Sequence, residues 1–191
     1  MHIADGIVST EAVLAADAVT VGVLYLFGRK VEVSEVPKMG FMAAALFVAS
    51  LIHFPMAGTS LHLGLFGLAG IILGLRAFPA VFAALFFQAL IFQHGGLLSV
   101  GLNTLNMGAG ALLGFFIWKL SAVPESLRAL AAGFLGIMLP AFLLTMEFQL
   151  SGYGRSVFFI LSIYLIAAAA EGILTLVVVG FFRKVEPSVL G

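Results

Sequence analysis

A histidine at position 2 places an imidazole one peptide bond from the α-amine of Met1. Three nitrogens can then grip one ion: the Met1 amine, the backbone nitrogen of His2 once deprotonated, and an imidazole nitrogen of His2. The chelate rings are small and close to coplanar, and square-planar nitrogen sets favour Cu(II) or Ni(II). A fourth in-plane ligand must come from elsewhere. His62 is the strongest candidate, because it follows a Gly58-Thr59-Ser60 turn and opens an apolar segment, where an unpaired polar ring is costly. On residues alone, a ligand and a histidine bonded to a loop carbonyl are equally open for His62. His53 reads as a polar residue at a helix end, and His94, before Gly95-Gly96, as a helix stop.

Two amides and an acid complete the inventory. Asn103 and Asn106 lie three residues apart, on one helical face. They could orient a metal-bound histidine, since such ligands donate their other ring N–H, or they could bond helix to helix. Gln88 and Gln93 allow the same two readings. Glu171 interrupts an Ala167–Ala170 run; an acid inside a membrane serves function or an interhelical bond.

These residues sit in a chain of 191 residues that is 62% hydrophobic and 9% charged, with a mean hydropathy of +1.21. Soluble domains carry about 25% charged residues, so the chain reads as an all-α integral membrane protein, one domain over residues 1–191. A spanning helix needs roughly 20 apolar residues. The spans expected are 10–27, 39–54, a short Gly-rich helix ending near Arg76, 79–93, 102–118, 126–148 with a kink at Pro140, and 157–182. Residues 56–62 read as a loop. That makes about seven transmembrane helices.

Lys and Arg concentrate in cytoplasmic loops. Arg29, Lys30, Lys38, Arg76, Lys119, Arg128, Arg183 and Lys184 all fall on one side of such a bundle, with Arg155 on the other. The amino terminus is therefore expected outside and the carboxy terminus in the cytoplasm. His2, His53, His62, His94, Asp5 and the Gly58–Ser60 turn all fall on the outer side. The start is acidic and polar as far as Glu11, unlike a secretory signal, so Met1 is expected to be the mature terminus.

The chain has no cysteine, so disulfides and thiolate chemistry are excluded. Phosphate-binding loop, zinc-protease and serine-hydrolase signatures are missing. A chain that binds something outside without an engine is expected to borrow one. Two rivals stay open: a membrane enzyme pairing Glu171 with a histidine, and a self-sufficient metal channel or carrier.

Taken in order, Met1-His2-Ile3-Ala4-Asp5-Gly6, Gly58-Thr59-Ser60-Leu61-His62, His94-Gly95-Gly96-Leu97, Asn103-Thr104-Leu105-Asn106-Met107-Gly108 and Glu171-Gly172 resemble the CbiM/NikM family. These are substrate-capture (S) components of energy-coupling-factor (ECF) transporters for nickel and cobalt. The resemblance implies one divalent ion, Ni(II) or Co(II), held by the Met1 amine, the backbone and ring nitrogens of His2, and His62. Asp5, His53, Ser60, His94, Asn103 and Asn106 would surround it. It also implies a prokaryotic inner-membrane location and partners: a small CbiN/NikN-type membrane subunit, a transmembrane coupling (T) protein and two ABC ATPases. Ala4-Asp5-Gly6 looks closer to the nickel type; a cobalt-specific member supplying cobalamin biosynthesis is the alternative.

Overall fold

Ser9 starts the first helix: its hydroxyl accepts from the Ala12 N–H at 3.4 Å, and Glu11 lies in the first turn, where a negative charge complements the helix dipole. The computed structural model describes residues 1–51, 53–56, 59–153 and 157–190, with side chains omitted for residues 54–56, 59 and 60. Within these the helices are α1 (Thr10–Gly28), α2 (Val36–Leu51), α3 (Phe66–Leu73), α4 (Ala77–Phe92), α5 (Val100–Trp118), α6 (Glu125–Leu150) and α7 (Val157–Val185). Strands β1 (His53–Met56) and β2 (Thr59–His62) form an antiparallel hairpin that pairs His53 with His62. Gly58 and Arg155 lie outside the described residues, as does the side chain of Ser60.

Three local features depart from the sequence reading. The second helix begins at Val36, with Pro37 tolerated in its first turn, and stops at Leu51. The residues around Pro55 therefore form a strand instead of completing the helix. His53 is consequently a strand residue, and the loop expected over 56–62 contains β2. Pro55 is accommodated because a two-stranded sheet consists only of edge strands.

Among the described residues, six stretches are long and apolar enough to cross a membrane. The third, Phe66–Phe92, is folded back on itself. His62, just before α3, and Gln88, near the end of α4, both touch the amino-terminal residues. Gly74, at φ +59°, lets the chain turn between the two helices. With eight residues, α3 is only about 12 Å long, less than half the ~30 Å hydrocarbon core, and it begins in mid-bundle. Its start needs a cap that water cannot supply there. Glu171, halfway along α7, provides it, accepting from the N–H groups of Gly64 at 2.5 Å and Leu65 at 3.0 Å. The acid thus sits at the positive end of a helix.

Close backbone approach explains why α3 is Gly-rich. A methyl group on Gly67 would overlap the Ala132 carbonyl of α6, and one on Gly70 the Ala111 carbonyl of α5. Without water to drive helices together, small residues gain stability through such packing. The entire run Phe66–Ile72 is buried, and α6 continues unbroken through Pro140.

One end of the bundle gathers the basic residues. Arg76 contacts Glu35 at 3.2 Å and the Lys30 carbonyl at 2.5 Å, Arg128 donates to the Trp118 carbonyl, and Arg183 donates to Glu125 at 2.9 Å. The amino terminus and all four histidines occupy the opposite end. Large apolar side chains such as Phe41, Phe158 and Leu150 point outward, as a lipid-facing surface requires.

Candidate metal centre

The first three residues are core, with Met1 1%, His2 4% and Ile3 0% exposed. Such a segment needs partners for its backbone. Asn103 of α5 supplies them with one amide: its Oδ1 accepts from the Ile3 N–H at 2.8 Å, and its Nδ2 donates to the carbonyls of Ile3 at 3.0 Å and Gly95 at 3.1 Å. Two residues on, the Asp5 carboxylate accepts from the Ser99 N–H and hydroxyl, both at 2.8 Å, and from the Leu98 N–H at 3.3 Å. Asp17 accepts from the Gly101 N–H at 3.0 Å. The start of α5 is thus capped by two carboxylates from the amino-terminal region, and the terminus is drawn inward.

Gly95 and Gly96 form the lid over this segment. Both have left-handed backbone, at φ +91° and +76°, which glycine adopts without strain. A methyl group on Gly95 would sit 2.7 Å from the His2 ring.

The hydrogen bonds fix which ring nitrogens carry protons. His62 Nδ1 lies 2.9 Å from the Leu63 carbonyl oxygen, which can only accept, so Nδ1 donates and Nε2 holds the lone pair. His2 Nε2 lies 3.0 Å from Gln88 Oε1. Gln88 is oriented by its own amide, which donates to Ser50 Oγ and to the Phe47 carbonyl at 3.5 Å. Its oxygen therefore faces His2, so His2 donates from Nε2 and keeps its lone pair on Nδ1.

The two lone pairs converge. His62 Nε2 is 3.2 Å from His2 Nδ1 and 3.0 Å from the Met1 amine. Burial lowers the amine well below its usual pKa; burial, then the neighbouring His62 and the amine, lowers His2; burial, then the amine, lowers His62. Burial thus favours the neutral forms of all three groups: the amine can donate to His62 Nε2, while the facing lone pairs of His62 Nε2 and His2 Nδ1 have no proton between them.

The other sequence candidates are placed as follows. The His94 ring lies 4.1 Å from the His2 ring, centroid to centroid, and the exposed His53 ring lies 4.6 Å from His94. Burial, then His53 and the amine, brings His94 to about 4. Asp5 and Asn103 hold the backbone of the terminal segment. Asn106 donates to Glu147 at 2.8 Å. Glu171 caps α3. Among the described residues, no three His, Asp or Glu side chains are grouped to hold one ion; the convergence here joins two imidazoles to the terminal amine. Gln88 is the partner that sequence reasoning left undistinguished from Gln93; its signal was a polar residue on the buried side of an otherwise apolar helix.

A family model described as the CbiM cobalt uptake substrate-specific transmembrane region matches residues 2–189. A provisionally named metal transport protein of Haemophilus influenzae is 29% identical over 100% of this chain and 97% of its own length. A fused nickel transport protein, NikMN, of Rhodobacter capsulatus is 32% identical over 78% of this chain and 47% of its own. A crystal structure of a truncated transition metal transporter superposes with a TM-score of 0.88, covering 96% of this chain and 99% of that one at 25% identity. A family match over nearly every residue, with a multi-helix membrane fold shared end to end, means that the chain belongs to the CbiM family.

Proposed function

We propose that this chain is the metal-capturing membrane subunit of a nickel or cobalt uptake system, holding one divalent ion between the Met1 amine, the His2 backbone nitrogen, His2 Nδ1 and His62 Nε2. The supporting observation is the position of His62 Nε2. In a plane chelated by residues 1 and 2, the amine and the imidazole lie opposite each other, with the amide between them. The vacant corner is then cis to both. With metal–nitrogen bonds of about 2.0–2.1 Å, cis nitrogens lie about 2.9 Å apart. His62 Nε2, at 3.0 and 3.2 Å from the two, needs little movement to fill that corner.

The sign of the loop charges orients the chain with the terminal end outside and the basic end in the cytoplasm of a prokaryotic cell membrane. The chain carries no nucleotide-binding motif, and one relative is a fusion named NikMN. Both support an ECF-type assembly with a small NikN/CbiN-type subunit, a coupling protein and partner ABC ATPases. Nickel is the preferred ion on the all-nitrogen planar set.

Calorimetric titration with Ni(II) tests the ligand set. Protein beginning at Met1 is expected to bind one ion, and protein extended by one residue to lose most affinity. Equal affinity in the two would remove the amine from the site. His2→Ala and His62→Ala are each expected to abolish high-affinity binding.

A further inference from the structure

The four histidine rings form one connected cluster graded in exposure. His62 and His2 are buried, His94 is half-buried and His53 is exposed. Ring centroids are 4.9 Å apart for His62 and His2, 4.1 Å for His2 and His94, and 4.6 Å for His94 and His53. Two separate pieces of local structure produce the cluster. The β1–β2 register sets His53 directly opposite His62, which puts both side chains on one face of the hairpin. The turn after α4 brings His94 over the same face. The buried centre draws its nitrogens from Met1, His2 and His62 and uses neither the His53 nor the His94 ring.

We propose that His53 and His94 form an outer capture site for the incoming divalent ion, which then passes to the buried centre by stepwise exchange of imidazole ligands. This rests on the buried centre proposed above. The outer pair has suitable dimensions. Two imidazoles bound cis to one ion, with metal–nitrogen bonds of about 2.0–2.1 Å, have ring centres roughly 4.5–5 Å apart. Imidazole is also a shared ligand type for nickel, copper and zinc. With two protein nitrogens and the remaining positions left to water, the outer ion is held weakly enough to leave. His94, 5.9 Å from His62 and 4.1 Å from His2, stays bound while an inner nitrogen displaces water, and lets go once the inner plane closes. The ion keeps at least one protein ligand throughout; no redox change occurs, and the His2 amide proton passes to water as the inner plane closes.

A relay of this kind speeds loading and unloading alike. The experiment is stopped-flow mixing of Ni(II) with the purified full chain, following the visible absorption of planar Ni(II), and metal release to a chelator. His53→Ala is expected to lower the binding and release rates by the same factor, about fivefold or more. His53→Ala/His94→Gln is expected to add little to the larger single effect, because both residues serve one step. Unchanged rates in the double variant overturn the relay. A slower binding rate with an unaltered release rate also overturns it, since that pattern means lost equilibrium stabilisation. If the unsubstituted chain develops no planar Ni(II) band, the buried centre itself fails; a normal band with normal variant kinetics rejects the relay alone. Restoration of both rates by His53→Cys, another ligand for the same metals, would show that metal ligation is the property that matters.

Discussion

Replacing Gln88 by alanine isolates the role of the buried amide. Gln88 is 1% exposed and accepts from His2 Nε2 at 3.0 Å. Its loss leaves the His2 N–H buried and unsatisfied, a penalty of about 1–3 kcal/mol for such a group. That penalty grows when a cation on Nδ1 withdraws charge from the ring and makes Nε2–H a stronger donor. Removing an outer partner of a metal-bound histidine costs typically about 10–100-fold in metal affinity. The Gln88→Ala variant is therefore expected to bind Ni(II) 10–100-fold more weakly, about 1.4–2.7 kcal/mol, with stoichiometry unchanged. Gln88→Glu keeps an acceptor and adds negative charge, so it is expected to lose less. Competitive titration against a chelator of known affinity reads both. An unaltered affinity in a well-folded Gln88→Ala protein would refute the inference that this hydrogen bond sets the His2 tautomer.

Three further outcomes follow from the geometry. The Met1 amine, His2 and His62 all have lowered pKa values, so the unfolded chain binds more protons than the folded one below about pH 8 for an amine and about pH 6.5 for histidine. The cluster's contribution to the stability of the metal-free protein is therefore greatest above pH 8 and is lost as pH drops; the fall in unfolding midpoint from pH 8 to pH 5.5 should be larger in the unsubstituted chain than in His2→Gln/His62→Gln, and equal changes would contradict the buried, unprotonated cluster. Gly70→Ala drives a methyl group into the Ala111 carbonyl, and overpacking of this kind costs about 1–3 kcal/mol or more, visible as a lower unfolding midpoint or loss of monodisperse protein in detergent. Asp5→Ala removes the three bonds to the start of α5 and should weaken Ni(II) binding roughly tenfold, the scale of one charge-assisted hydrogen bond, through looser seating of the terminus; intact affinity would show that Asn103 suffices.

The helical membrane class was legible because apolar runs of spanning length leave few alternatives in lipid, where backbone groups must bond within their own segment. Helix ends were legible wherever a side chain or glycine terminates them locally, as at Ser9 and Gly28-Arg29. A short Gly-rich helix ending near Arg76 was legible, but the start of α3 was not, because the N–H groups leading into it bond to Glu171, about a hundred residues away. The hairpin was hidden for a related reason: Phe54 to Ser60 has no apolar alternation, and Pro55 argues against a strand unless the sheet has only edges.

His2 next to the terminal amine was readable as a chelating pair from two adjacent residues, since covalent connectivity holds those nitrogens within one ion's reach. What connectivity does not determine is where that pair goes. The convergence of His62 Nε2 on it, the tautomer that Gln88 imposes on His2, and the inward pull exerted by Asn103 and Asp5 join residues some 60 to 100 positions apart in sequence, whereas Leu63 sets the His62 tautomer from the next position. Only the packed bundle brings them together. The terminal segment carries a chelating pair of nitrogens by its own covalent chemistry, but that pair is buried beside His62 only because the packed helices and the hairpin exclude water around it.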